Sequence, residues 1–134
     1  MNSLNSILLE GNLTRDPESK TLPSGSQVCN FAVASNRFYK QNEVLEKETS
    51  FFDVEAWSRL GQTCADTLKK GRGVRVVGRL KQDRWQDTLG KQHSRVKIVA
   101  EHVEFKPQFK ATNELEKIEE EEEEARVREP EPVF

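Results

Sequence analysis

Apolar and polar residues alternate along five segments of this chain, and this period of two constrains the fold more than any other feature. Successive side chains of a β-strand point to opposite faces, so alternation predicts strands with one buried face. The clearest segment is residues 50–57, where Phe52, Val54 and Ala56 share one face that is suited to a core. The opposite face combines charge with large aromatic rings: Asp53, Glu55, Phe51 and Trp57. Because the first face already supplies a core, the rings on the second face require another explanation.

The five alternating segments are residues 4–13, 27–37, 50–57, 73–81 and 95–105. Pro23, Ser24 and Gly25 are typical of a hairpin turn between the first two. We interpret the polar stretch 39–50 as a long hairpin loop, and residues 83–94 as a second hairpin arm with Gly90 at its tip. In the last segment the alternation changes parity near Ala100 and Glu101, which predicts a β-bulge.

Between the third and fourth segments the period changes to that of a helix. Leu60, Cys64 and Leu68 are spaced by four and form the buried stripe of a short helix. Ser58 is suited to the N-cap, and Gly71 to the stop. Five short antiparallel strands with one short helix between the third and fourth is the element order of an OB-fold barrel, so we predict this all-β fold. An unclosed α+β sheet is the alternative.

Charge divides the chain into a domain, residues 1–106, and a tail, residues 107–134. Residues 1–110 hold 18 Lys or Arg against 13 Asp or Glu, whereas residues 111–134 hold 3 against 10. The tail includes six consecutive glutamates at 119–124 and few apolar residues, a composition that predicts disorder. The cationic domain suggests an anionic partner such as nucleic acid, although a solvated surface with a modest imbalance is the alternative.

The sequence argues against catalysis. His93 and His102 do not match a metal-ligand spacing, and we interpret both as ordinary surface residues. Cys29 and Cys64 match no CxxC pattern, so we expect reduced, buried thiols. We find no nucleophile paired with a base, and we predict that the protein is not an enzyme.

Features of export are missing from the sequence. The first residues, MNSLNSILLEGN, lack the basic start and long apolar segment of a signal peptide. No apolar run approaches the roughly 18 residues of a membrane span. We therefore expect a cytoplasmic protein.

Four aromatic residues lie outside the predicted core faces: Tyr39, Phe51, Trp57 and Trp85. Any one of them could cover a small satellite core under a loop. Together they lie on hairpin arms or on one strand face, and all have basic residues nearby: Arg37, Lys40, Arg59, Arg75, Arg79, Lys81 and Arg84. Aromatic rings stack on unpaired bases and Lys or Arg neutralise phosphates, so this composition favours a surface for single-stranded nucleic acid.

The motifs ILLEGNLTRDPE, NFAVASNRFY, TSFFDVEAW and LKKGRGVRVVGRLKQDRW occur in unbroken order within residues 1–106, and the chain ends in Phe134. In this order and spacing they closely resemble bacterial-type single-stranded DNA-binding proteins. The resemblance implies an OB fold, a homotetramer, no catalytic activity and no cofactor. It also implies binding of single-stranded DNA during replication, recombination and repair, in the cytoplasm and at the nucleoid.

Residue by residue, the stacking aromatics of that family fall on Tyr39, Phe51, Trp57 and Trp85. The best-known member has Trp at the first two of these positions, and the smaller rings here should stack less strongly. That member also has a His at a subunit contact where this chain has Phe52.

The tail departs further from the family pattern. The family commonly ends in an Asp-rich tip and Ile-Pro-Phe, whereas this chain ends in EPEPVF. The resemblance implies that the tip recruits partner proteins through Glu129, Glu131, Pro132, Val133 and Phe134. A tail that serves solubility alone is the alternative.

We therefore predict sequence-independent binding and protection of single-stranded DNA, with recruitment of replication, recombination and repair proteins through the acidic C-terminus. Two alternatives remain open. An OB-fold RNA-binding protein would prefer a ligand with a 2′-hydroxyl. A replication adaptor that no longer binds nucleic acid would leave the aromatic rings unexplained.

Overall fold

The computed structural model describes residues 1–107 of the chain, which form two compact units. The first unit comprises Met1–Ser35 and Phe51–Lys106, and the described part of the second includes Asn36–Ser50. The predicted tail, apart from Pro107, lies outside the described residues. The elements are β1 Ile7–Leu13, β2 Glu18–Thr21, β3 Gln27–Gln41, β4 Val44–Trp57, α1 Ser58–Thr67, β5 Gly73–Gln86 and β6 Gln92–Phe105.

The strands form one sheet in the order β1-β5-β6-β4-β3-β2, and an additional β1–β3 pairing closes five of them into a barrel. This closed barrel with one helix confirms the predicted OB fold and excludes the unclosed α+β sheet. Antiparallel pairing holds for β5 with β1 and with β6, but β4 and β6 pair in parallel at Val54↔Ile98, which corrects the expectation of antiparallel strands alone.

The predicted position of the helix is wrong by one strand, because α1 lies between β4 and β5 and not between the third and fourth strands. The difference arises from β2, a strand of four residues that pairs with β3. All four of its side chains are exposed, so β2 carries no apolar alternation by which it could be recognised.

The core lies inside the barrel and is lined by the predicted strand faces. Cys29, Phe31 and Val33 of β3 are fully buried, and Leu9 and Leu13 of β1 pack in the same cluster. The helix adds Cys64, which is buried, and Leu60, which is partly buried against the cluster. Leu68 is also buried, but it lies just past the helix, which ends at Thr67, so the prediction that Gly71 stops the helix is wrong. Both cysteines are free, and burial raises the pKa of the Cys64 thiol to about 12.

Alternation predicts that Phe52 faces inward with Val54, and that Leu80 faces inward with Val74 and Val76, but both Phe52 and Leu80 are exposed. Phe52 lies two residues before Val54 on β4, and Val96 lies two residues before Ile98 on the parallel strand β6. On β5, Leu80 pairs with Ile98 of β6. Val54 and Ile98 are buried, so the inward-facing rows of three strands continue past the end of the core. Alternation identified the correct face but could not show where the barrel ends.

The predicted bulge in β6 is confirmed. Val77 pairs with His102 and Gly78 pairs with Ala100, so Glu101 is an extra residue in the ladder. Gly78 is required at this point, because a Cβ there would lie 2.2 Å from the Val99 carbonyl oxygen. Gly11 has the same role where β1 crosses β3, because its Cβ would lie 2.2 Å from the carbonyl oxygen of Ala34.

Two local predictions fail for conformational reasons. Residues 39–50 do not form a long loop, because β3 continues to Gln41 and β4 begins at Val44. The two residues between them, Asn42 and Glu43, both have positive φ (50° and 65°), as a tight hairpin turn requires. Ser58 is not the N-cap: Trp57 takes that position without a side-chain hydrogen bond, and Ser58 has φ 57°.

The helix in the described part of the chain lacks the length and apolar character that crossing a membrane requires.

Candidate nucleic-acid interface

Beyond the barrel, β5 and β6 continue as a two-stranded ribbon, residues 81–97. The pairing of β5 with β1 ends at Gly78, and β6 meets β4 at Ile98 and Val99. Residues directly opposite each other in an antiparallel pair lie on the same face. One face of the ribbon therefore carries the pairs Lys81↔Lys97, Asp83↔Arg95 and Trp85↔His93. We call it the Trp85 face.

Trp85 is the outermost large residue of this face, and its side chain is 48% exposed. Its ring stacks on that of His93 with centroids 5.6 Å apart and planes inclined by 18°. Nε2 of His93 lies 2.8 Å from Oδ2 of Asp87 at the end of the ribbon. The hydrogen bond from His93, together with those from the backbone of Lys91 and Leu89, lowers the pKa of Asp87, so this carboxylate is the acceptor.

A network of four charges lies at the base of the ribbon. Glu55 of β4 is 3% exposed, and its carboxylate lies 2.8 Å from Nζ of Lys97 and 3.5 Å from Nζ of Lys81. Asp83 contacts the same two lysines at 2.5 and 3.6 Å. Burial raises the pKa of Glu55, but hydrogen bonds from Lys97 and Trp57 and the two lysine charges outweigh it, so its pKa is lowered.

These contacts connect the face of β4 that carries Phe51 and Trp57 to the Trp85 face of the ribbon. Asp53 is paired with Arg95 in the same way that Glu55 is paired with Lys97. Phe51 and Trp57 lie on the face of β4 that carries these two acids, by the alternation of the strand. Three of the predicted stacking residues, Phe51, Trp57 and Trp85, therefore lie on one side of the sheet. Phe51 is 68% exposed and Trp57 is partly buried.

The fourth predicted stacking residue, Tyr39, belongs to the second unit and is partly buried. The guanidinium of Arg37 lies over its ring, 5.2 Å from the centroid. Arg37 is exposed, and the neighbouring Lys40 is half-buried. The predicted association of Tyr39 with basic residues is thus present within this hairpin.

The four predicted phosphate-binding residues of β5 are exposed, and three of them are already paired with acids. Arg75 lies 2.8 Å from Glu10, and Arg79 lies 4.0 Å from Glu101. Lys81 belongs to the network described above. Arg84 points to the opposite face from Trp85, opposite Ser94, and donates a hydrogen bond to Gln82. Arg84 therefore does not lie on the Trp85 face.

Arg59 lies apart from the ribbon, at the start of α1. It lines an open polar groove of about 810 Å³ together with residues of the β2–β3 turn. His102 is exposed on β6. Within residues 1–107, no group of three His, Cys, Asp or Glu side chains is arranged to hold a metal ion.

Comparison with known proteins identifies the family. Residues 4–106 match the model of the single-strand binding protein family, which covers most of the chain. The chain belongs to the single-strand binding protein family.

Curated members of this family include close relatives. The single-stranded DNA-binding protein of Aquifex aeolicus is 44% identical over 101 residues, which are 75% of this chain and 68% of that protein. The protein of the same name from Treponema pallidum is 39% identical over 105 residues, 78% of this chain and 59% of that protein. The matched region thus spans about three fifths to two thirds of the length of these relatives.

A Plasmodium falciparum single-strand binding protein, solved in complex with single-stranded DNA, shares the fold. It aligns with a TM-score of 0.71 and 24% identity, covering 80% of this chain and 98% of that chain. This likeness supports the OB-fold assignment of the family member described here.

The structure adds three residues to the candidate interface that sequence reasoning missed: His93, Arg95 and Lys97 on the Trp85 face. His93 was interpreted as an ordinary surface histidine. The signal that would have found it is the hairpin register, because a turn centred on residues 88–90 places His93 opposite Trp85. The predicted partner-binding residues of the tail, 129–134, lie outside the described residues.

Proposed function

We propose that this chain binds single-stranded DNA without regard to base sequence and protects it during replication, recombination and repair. The observation that carries the proposal is the row of aromatic rings on one side of the sheet, with cations between them. Phe51 and Trp85 are exposed on the same side of the sheet, and exposed apolar groups that share one charge-rimmed surface are typical of an interaction site. Stacking of a base on each ring adds affinity without selecting a sequence.

The cations of this surface are held in place before DNA arrives. Lys81, Lys97 and Arg95 each pair with a carboxylate. Of these carboxylates, those of Asp53 and Asp83 are partly exposed. In the proposed complex, phosphate groups take over from these two aspartates, while buried Glu55 remains in position. The phosphates therefore displace carboxylates of the protein itself and fewer bound salt ions. The salt dependence of binding is for this reason weaker than the number of cations would suggest.

Fluorescence provides the test, because the chain contains two tryptophans, Trp57 and Trp85. Titration with oligo-dT should quench their emission, and duplex DNA of equal length should quench it far less, because its base faces are covered. A competing RNA oligonucleotide of the same length should displace the DNA poorly. Equal quenching by duplex DNA would contradict the proposal, RNA preference would favour an RNA-binding protein, and no quenching would favour an adaptor.

We further propose that the protein assembles as a homotetramer. Phe52, Leu80 and Val96 form an extension of the core face that the first unit leaves exposed, and Leu8 on β1 is also exposed. Covering such apolar surface favours association. Native mass measurement should give four chains, and Phe52→Glu with Val96→Glu should lower that number. A monomeric wild-type protein would refute the assembly.

The acidic tail, in this proposal, recruits replication, recombination and repair proteins through Glu129, Glu131, Pro132, Val133 and Phe134, in the cytoplasm at the nucleoid. The support is the family membership and the acidic, apolar-ended composition of this segment. Deleting residues 129–134 should abolish capture of partner proteins and leave DNA affinity unchanged or slightly higher. Unchanged capture would indicate that the tail serves solubility.

A further inference from the structure

We propose that His93 is a positioning residue for Trp85, holding the indole ring in the plane that a DNA base needs. The inference rests on the proposed function, because it assumes that Trp85 stacks on a base. It begins from the stack between the two rings, whose centroid separation of 5.6 Å lies within the range of favourable aromatic pairs. Trp85 and His93 are directly opposite each other in the ladder, so the stack joins the two strands of the ribbon.

Asp87 fixes His93 in turn. Oδ2 of Asp87 accepts the hydrogen bond from Nε2 of His93, and Oδ1 accepts hydrogen bonds from the backbone N–H groups of Leu89 and Lys91 at 2.9 and 2.8 Å. The carboxylate is therefore anchored by the turn through one oxygen and holds the imidazole through the other. A continuous series of contacts runs from the turn backbone to Asp87, His93 and Trp85.

The stack leaves half of the Trp85 side chain exposed. His93 covers one face of the indole, and a base can stack on the other, giving a sequence of base, indole and imidazole. Without His93, an exposed tryptophan at the end of a two-stranded ribbon would sample several rotamers. Selecting one of them on binding costs conformational entropy, and the preformed stack removes that cost before DNA arrives.

The test uses the full-length chain with Trp57→Phe, so that all tryptophan emission comes from Trp85. His93→Ala should make the indole of the free protein more mobile, seen as faster fluorescence depolarisation, and should weaken oligo-dT binding by about two- to tenfold. His93→Phe keeps a flat ring and should restore both properties. Asp87→Asn should give an intermediate mobility. Ser94→Ala, on the opposite face of the same strand, is the matched control and should resemble the parent.

Two results would overturn the proposal. One is an unchanged depolarisation and affinity in His93→Ala. The other is a failure of His93→Phe to restore either property while circular dichroism shows a folded barrel. Failure of the proposed function is recognised separately, because Trp85→Ala would then leave oligo-dT binding unchanged, whereas the mobility of the indole in the free protein would still respond to His93.

Discussion

The strands β5 and β6 run through both the barrel and the ribbon, but the two regions are held together by different interactions. In the barrel, Val74, Val76 and Ile98 are buried among other apolar side chains. In the ribbon, the contacts are between charges and rings: the Glu55 network, the Trp85–His93 stack and the Asp87 hydrogen bonds. Burial stabilises one region, whereas directional contacts order the other.

This difference shows why the ribbon is suited to binding. Apolar side chains buried in the barrel contact only other side chains of the protein and are not accessible to a ligand. An aromatic ring that is stacked on one face can still bind a base on its other face. Paired charges can likewise exchange a carboxylate for a phosphate at modest cost, because exposed ion pairs contribute little to stability. Substitutions in the barrel should therefore change stability, and substitutions in the ribbon should change binding.

The largest expected effect is in the barrel. Phe31→Ala removes the largest fully buried side chain within residues 1–107, and the cavity should lower the free energy of unfolding by about 3–5 kcal/mol. Urea denaturation followed by circular dichroism measures this loss. The molecules that remain folded should bind oligo-dT with normal affinity, and a specific loss of binding would break the distinction between the two regions.

Trp85→Ala should have the opposite profile. Loss of one stacked base should weaken oligo-dT binding by about 1–3 kcal/mol, with little change in melting temperature. Leu89→Ala is the matched control, because Leu89 is an exposed apolar residue in the turn of the same ribbon. A lowered melting temperature with normal affinity would show that the ring of Trp85 is structural.

Glu55 lies where the two regions meet, so Glu55→Gln should affect both. The amide retains the shape but loses the charge that holds Lys97 and Lys81, and we expect a loss of about 1–2 kcal/mol in unfolding free energy. The freed lysines should make oligo-dT binding more salt-dependent, which titrations at several salt concentrations would measure. An unchanged salt dependence would mean that these lysines do not contact phosphate.

The smallest effect is expected at the exposed surface of the barrel. Hydrogen bonds that Glu10 accepts from Lys106 and, with a smaller effect, from Arg75 lower the pKa of Glu10 from 4.5 to about 2. Because the folded-state pKa is depressed, the stabilisation is complete above pH 4.5 and is lost as the pH falls towards 2. The difference in stability between wild type and Glu10→Gln should therefore be small at neutral pH and vanish near pH 2. A pKa of Glu10 near 4.5, measured by nuclear magnetic resonance titration, would contradict this pH dependence.

Much of the fold was predictable from local pattern. Alternation located β1, β3, β4, β5 and β6, the spacing of Leu60, Cys64 and Leu68 located the helix, and a change of parity located the bulge at Glu101. The exposed strand β2 escaped because it buries nothing, and the hairpin turn at Asn42 and Glu43 escaped because neither residue is glycine.

The sequence by itself determined which faces of the strands are apolar and which carry Phe51, Trp57 and Trp85, because a period of two is a local property of the chain. The tertiary structure alone decided which side chains meet. Strand order and register brought Glu55 to Lys97, and Trp85 to His93, across 42 and 8 positions of sequence. Such pairs depend on how strands align in space, and alternation within a single strand contains no information about its neighbour.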